Sequence, residues 1–343
     1  MSDFISKLQI KAFRGVKDLS LDNLSAVNVL VGANNSGKTS VLEAIRFLSN
    51  STDTGRIVNL ARQRSVGNKE VLIDQFSSLY HQESDQSFYK IDLSADINDA
   101  SYHCESEGSL DVQFNTAGEE QKVFQYSIQL QDSEGNSTIF NSKIVAGKTP
   151  SSSKKASSSL FHSLYLPSGI SYYQNCVNLL RFNFISFNKS DLVDILQSFD
   201  SSIQDVSVMD SSIYLHDSFG GTLPLFAFGT GLQKAALFSI IMSSVPDGII
   251  LIDEIDNAIN MSVFHKIFPW FIQKCKEHNI QAFVTTHSSE AIDAILKSQK
   301  GAEDSIRIIT LRKTPKTHKT IAKVRTGSEA LSDRKNFKME LRV

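Results

Sequence analysis

A chain of 343 residues with 41% hydrophobic and 21% charged residues can bury a full core and has the make-up of a soluble globular protein. No apolar run approaches the about 20 residues a bilayer requires, and the start, Met1-Ser2-Asp3-Phe4, lacks a basic segment followed by an apolar one, so no membrane span and a cytoplasmic location are expected. The net charge of -2 is unevenly spread: residues 297–343 hold 13 Lys or Arg against 5 Asp or Glu, a basic end that offers contacts to nucleic acid or to an acidic partner.

In chain order, residues 4–11 and 26–32 read as short strands around a loop with Phe13-Arg14-Gly15. From Lys38 to Leu48 the apolar positions Val41, Leu42, Ile45 and Leu48 recur at helical spacing. Residues 88–97, 109–115, 122–131 and 137–145 alternate in short runs, with turns at Gly118 and Gly135-Asn136, and predict an antiparallel meander. The Ser-rich stretch within 147–159, including Lys154-Lys155, predicts a mobile loop. Arg181 to Phe187 then reads as a strand, Leu192 to Phe199 and Leu232 to Met242 as helices, and Ile249 to Asp253 as a buried strand. Ser262 to Cys275 reads as a helix kinked or broken at Pro269, and Ala282 to Thr286 as another buried strand. Strands alternating with helices predict an α/β fold, a mostly parallel sheet with helices on both faces plus the meander. The expected division is one domain with a lobe at 1–75, the meander and Ser-rich loop at 76–180, and a second lobe at 181–343. Cys104, Cys176 and Cys275 are too few and scattered for a disulfide framework or zinc site and are expected as reduced core thiols.

The chemistry concentrates in four places. Gly32-Ala33-Asn34-Asn35-Ser36-Gly37-Lys38-Thr39-Ser40 holds a full G-x-x-x-x-G-K-T between a strand and a helix. Such a loop curls its N–H groups around phosphate oxygens, with Lys38 reaching the β- and γ-phosphates of ATP and Thr39 a magnesium ion. Asp253 and Glu254 follow four buried apolar residues, which puts both acids at the ligand-binding end of a strand: Asp253 for magnesium, Glu254 to polarise the attacking water. His287 sits at the tip of the next strand and can approach the same γ-phosphate. Gly229, Thr230 and Gly231 open a helix whose N–H groups make a second anion site.

Together these motifs resemble the ABC-type ATPase heads of the SMC and RecF superfamily, closest to the standalone OLD-family ATPases. Leu8 to Leu19 looks like that group's opening strand pair, Gly32 to Thr39 its Walker A, Ile249 to Glu254 its Walker B, and Phe228 to Lys234 its signature. Asp256-Asn257-Ala258-Ile259-Asn260 is similar to its D-loop, Thr286-His287-Ser288 to its switch histidine, and Met339-Glu340-Leu341-Arg342 to its close. The resemblance implies an ATPase whose ATP is sandwiched between two copies, with Gly229, Thr230 and Gly231 of one closing over the P-loop of the other. It also implies that Arg14 lies near the nucleotide and that Asn188 stands where the group has its Q-loop glutamine. No long heptad stretch follows the P-loop helix, and residues 300–343 are too short and basic for a fused nuclease domain, so any effector nuclease is expected on another polypeptide. Two functions follow from the resemblance: an ATP-gated oligomer controlling an effector in anti-phage defence, or a RecF-like DNA repair ATPase.

Overall fold

A computed structural model describes residues 4–64, 72–82, 89–114, 118–146, 159–183, 188–210, 212–257, 259–298, 305–337 and 340–341. The Ser-rich stretch 147–158, residues 184–187 of the expected strand, Ala258, Met339 and Arg342 lie outside them. The first strand, β1 (Ile5–Phe13), folds back on β2 (Val16–Leu21) through a two-residue turn in which Arg14 takes a φ of 50°. β3 (Val27–Val31) is buried at all five positions, as a central strand covered on both faces must be. It feeds the glycine loop and α1 (Lys38–Ser49), followed by α2 (Thr54–Arg62) and α3 (Leu72–Ser77).

The expected meander is present as β4 (His81–Gln82), β5 (Tyr89–Ile97), β6 (Ala100–Phe114), β7 (Glu120–Asp132) and β8 (Ser137–Val145). β5 pairs with β1, so hairpin and meander make one antiparallel sheet, β2-β1-β5-β6-β7-β8, with β4 on β5. β6 starts nine residues before its alternating run at 109–115. Its inward positions there are Cys104, Ser106 and Gly108, too small and polar to show as an apolar alternation. Gly108 has to be small, because a Cβ would stand 2.5 Å from the Phe124 ring.

The second half contains β9 (Ser163–Leu166), α4 (Tyr172–Asn183), α5 (Lys189–Phe199) and a small antiparallel sheet of β10 (Ile203–Met209), β11 (Ser212–Asp217) and β12 (Thr222–Pro224). Then come α6 (Thr230–Ser244), β13 (Ile249–Ile252), α7 (Phe264–Glu277), β14 (Gln281–Thr285) and α8 (Ser289–Lys297). β15 (Ile306–Lys313), β16 (Thr320–Thr326) and α9 (Gly327–Phe337) follow. The central sheet runs β16-β15-β3-β14-β13-β9, with β15 through β9 parallel and β16 antiparallel on the edge.

Alternation along the parallel strands divides the core into two layers. Leu30, Ile249, Leu251, Phe283 and Ile309 join α1 and the antiparallel sheet, while Val29, Ile250, Ile252, Val284 and Ile308 join the helices on the far side. α6 is apolar all round because nearly its whole length is enclosed in that second layer.

One expectation is corrected and one is narrowed. Arg181 lies in the last turn of a helix, α4, rather than starting a strand. Of the kink or break expected at Pro269, the break does not occur: α7 continues through the proline, and both Pro269 and His265, whose carbonyl loses its N–H partner, are exposed, so water can take that bond. Within the basic end, Arg307 donates to the Asn23 carbonyl, Arg325 pairs with Asp333, and Arg334 of α9 pairs with Asp293 of α8, while Arg312, Lys316 and Lys323 are exposed. The three cysteines are buried and unbridged, and burial pushes the Cys104 thiol up to about 12. No helix among the described residues is long and apolar enough to cross a membrane.

Candidate functional site

Four parallel strands, β3, β14, β13 and β9, end side by side, and open parallel sheets bind ligands at that edge. The loop after β3 is forced into its curl by Gly32 at φ 147°, Asn35 at 63° and Gly37 at 102°. A Cβ on Gly32 would lie 2.4 Å from the Leu311 carbonyl oxygen, and one on Gly37 2.9 Å from Val16, so both positions need glycine for space as well as conformation. A cleft of about 310 Å³ opens above the loop. Asn34, Asn35, Ser36, Gly37, Lys38, Thr39 and Ser40 line it together with Asp253, Glu254 and His287, as the sequence predicts, and Arg64 joins them.

The Lys38 ammonium donates to the Gly32 and Ala33 carbonyls at 3.0 Å each, and desolvation lowers its pKa. Thr39 Oγ1 lies 3.1 Å from both carboxylate oxygens of Asp253, while Ser36 Oγ is buried with no hydrogen-bond partner among the described residues. A hydroxyl beside a carboxylate is a donor set for a hard cation, and an orphaned hydroxyl in a cradle of N–H groups and a lysine suits phosphate. These residues therefore fit a magnesium-bound nucleoside triphosphate.

The acids at the end of β13 are tightly held. Asp253 accepts from Thr285 Oγ1 at 2.7 Å and from Ser168 Oγ at 3.3 Å, besides Thr39. Glu254 takes a left-handed φ of 53°, which costs a non-glycine residue about 1–3 kcal/mol. Its backbone N–H donates to Thr285 Oγ1 at 2.8 Å, and its carbonyl accepts from Lys234 Nζ at 2.9 Å. Lys234 also donates to the Asn257 carbonyl at 2.7 Å. It is nearly inaccessible to solvent, and burial pushes its pKa down to about 7 against the pull of Asp256 and Glu254. A neutral amine keeps two N–H groups, matching its two carbonyl acceptors. Thr286 Oγ1 donates to Asp256 at 2.5 Å, fixing the loop beyond the acids. The pKa of His287 is lowered by desolvation and by the nearby Lys38 charge, which favours the neutral ring at physiological pH.

Two expected ligands are elsewhere. Arg14 is buried behind α1: its Nε lies 2.8 Å from Glu43 Oε2, and its Nη1 donates to Ser78. The arginine on the cleft wall is Arg64, which grips the other side of Glu43 and donates to Ser40 Oγ at 3.1 Å. Asn188 caps α5, its side chain accepting from the Ser190 and Asp191 N–H groups, and it does not line the cleft. The chain instead passes Asp253 where it leaves β9, and Ser168 is the side chain there that touches the acid. Gly229 and Thr230 stand exposed at the start of α6, with no side chain capping it, and neither they nor Gly231 line the Lys38 cleft. Sequence reasoning missed Arg64, Ser168 and Thr285 and gave Lys234 no role. Only Lys234, charged within an otherwise apolar helix, carried a signal.

The chain is similar to several known proteins. The model of the family described as "AAA domain, putative AbiEii toxin, Type IV TA system" matches residues 27–293. An ATP/GTP phosphatase of Helicobacter pylori is 25% identical over 334 residues, covering 85% of this chain and 87% of its own. The DNA replication and repair protein RecF of Francisella tularensis subsp. novicida is 43% identical over 61 residues, only 16% of this chain and 18% of its own. An SMC head solved with the C-winged helix domain of ScpA superposes with a TM-score of 0.54 at 12% identity. That match covers 95% of this chain and 99% of the SMC head, and shows a shared fold.

Proposed function

Because the chain belongs to the family described as "AAA domain, putative AbiEii toxin, Type IV TA system" and is a P-loop ATPase of the SMC and RecF type, we propose that ATP in the Lys38 cleft is closed over by a second copy. Gly229, Thr230 and Gly231 of that copy supply the lid, so binding assembles the protein and hydrolysis releases it. The observation that carries this reading is that the two glycine-containing helix starts, at Gly37 and at Gly229, do not line one cleft. The start of α6 is exposed and outside the cleft, yet Lys234 of the same helix holds the loop bearing Glu254.

Within the cleft, Lys38 and the loop N–H groups hold the phosphates, and Thr39 and Asp253 hold magnesium. When bound, magnesium neutralises charge developing on the β- and γ-oxygens. Glu254 orients the attacking water and takes its proton, and neutral His287 bonds to the γ-phosphate side of that water. The assembled form controls a separate effector, such as a nuclease, in defence against phage, with the standalone OLD ATPases as the nearest type. The family description supports the defence role, and the glycine pair around Thr230 supports the OLD subtype. A location in the cytoplasm follows from dependence on ATP and from three unbridged thiols. Light scattering tests the assembly: Glu254→Gln with magnesium and ATP should move from the 38.0 kDa monomer to at least twice that mass, and Lys38→Ala should not. A Glu254→Gln monomer under saturating ATP would refute it.

A second reading has its own observation. The RecF match and the exposed Arg312, Lys316 and Lys323 around the β15–β16 hairpin favour an ATPase that grips duplex DNA. Replacing these three by Glu should abolish ATP-dependent DNA binding if this reading holds, and absence of any low-salt DNA affinity in the wild type excludes it.

A further inference from the structure

Thr285 is the last residue of β14 and is fully buried. Its hydroxyl has one proton, which goes to Asp253 Oδ1 at 2.7 Å, and its oxygen accepts the Glu254 N–H at 2.8 Å. Its carbonyl accepts the Ile255 N–H at 2.9 Å. One residue on the neighbouring strand thus holds three consecutive residues, Asp253 by its carboxylate and the next two by their backbones. The carboxylate so fixed faces Thr39, and turning it away from Thr285 would also disturb its contacts with Thr39. The backbone so fixed is the left-handed one at Glu254, which aims that side chain into the cleft. Thr285 itself does not line the cleft, so it touches neither nucleotide nor water there.

We infer that Thr285 is a positioning residue for ATP hydrolysis, setting Asp253 for the metal and Glu254 for the attacking water through a single hydroxyl. The inference rests on hydrolysis in the Lys38 cleft and is independent of assembly between copies. Thr285→Val keeps the shape and removes the hydroxyl, Thr285→Ala removes both, and Thr285→Ser keeps the hydroxyl alone. Two measurements are made on each full-length variant: phosphate release against ATP and Mg2+ concentration, and Mg2+ affinity of the ADP-bound protein by calorimetry. Val and Ala should each lose about 10–100-fold in kcat and in Mg2+ affinity, the usual effect of removing an outer-sphere partner. Affinity for ADP without Mg2+ should stay at the wild-type value, and Ser should recover most of both losses. Wild-type kcat and Mg2+ affinity in Val, a Ser variant as impaired as Val, or loss of Mg2+-free ADP binding would each overturn the inference. If Lys38→Ala releases phosphate as fast as the wild type, hydrolysis in this cleft is wrong and the role of Thr285 falls with it. A dead Lys38→Ala beside a fully active Thr285→Val overturns the role of Thr285 alone.

Discussion

Arg14→Ala separates a structural arginine from a nucleotide ligand. Arg14 and Glu43 are both almost wholly buried, so the substitution leaves a carboxylate in the interior with one remaining cationic partner, Arg64. Breaking a buried pair costs about 3–5 kcal/mol, and because Arg64 still holds both Glu43 oxygens the lower end, about 3 kcal/mol, applies here. That is a fifth or more of the about 5–15 kcal/mol that holds a domain folded. Urea unfolding should show it as a large drop in midpoint at unchanged slope. Burial already raises the Glu43 pKa above its ordinary 4.5, with both arginines opposing the rise. Losing Arg14 raises it further, so the folded variant holds a proton that the unfolded chain releases above pH 4.5. The deficit should therefore be smallest near that pH and grow toward neutrality. The Michaelis constant for ATP should stay within about threefold of wild type, since uniform binding is untouched. Unchanged unfolding with a tenfold weaker ATP interaction would refute this placement and return Arg14 to the nucleotide.

Other outcomes follow from the same geometry. Lys234 has a folded-state pKa of about 7 against an ordinary 10.5, so between those values the unfolded chain binds more protons and stability should rise with pH. Urea titrations at pH 7.5, 8.5 and 9.5 should show that rise in the wild type, up to about 1.4 kcal/mol per pH unit, and lose it in Lys234→Met. Parallel profiles would place the amine elsewhere. Asn188→Ala should cost about 1 kcal/mol of stability through the lost cap on α5 and leave ATP turnover intact. Ser168→Ala should do the reverse, lowering turnover with little effect on unfolding, because it removes a contact to Asp253 from an exposed residue. Wild-type turnover in Ser168→Ala, or lowered turnover in Asn188→Ala, would refute this assignment.

Much of the site was legible because its chemistry lies in short local patterns. A strand, a glycine loop and a helix identify Gly32 to Ser40, and four buried apolar residues before Asp253 identify a strand end. The supporting groups were not legible, because they meet only through the sheet order. Thr285 reaches Asp253 from 32 residues away and Ser168 from 85, with no spacing rule to connect them. The pairing of Arg14 was not legible because its partner, Glu43, sits on the inner face of α1, where a charge is invisible to a pattern of apolar residues. The side chain of Asn188 is occupied as a helix cap, the commonest use of an Asn at that position. The partners within the basic end were hidden for the same reason as Thr285, with Asn23 meeting Arg307 from 284 residues away.

The most direct test is phosphate release from the purified protein under saturating magnesium and ATP, beside Lys38→Ala and Glu254→Gln. The wild type should turn over steadily, Lys38→Ala should neither bind nor hydrolyse ATP, and Glu254→Gln should bind ATP at least as tightly while losing about 10²-fold or more in rate. Phosphate release from Lys38→Ala at the wild-type rate would contradict the assignment of hydrolysis to this cleft.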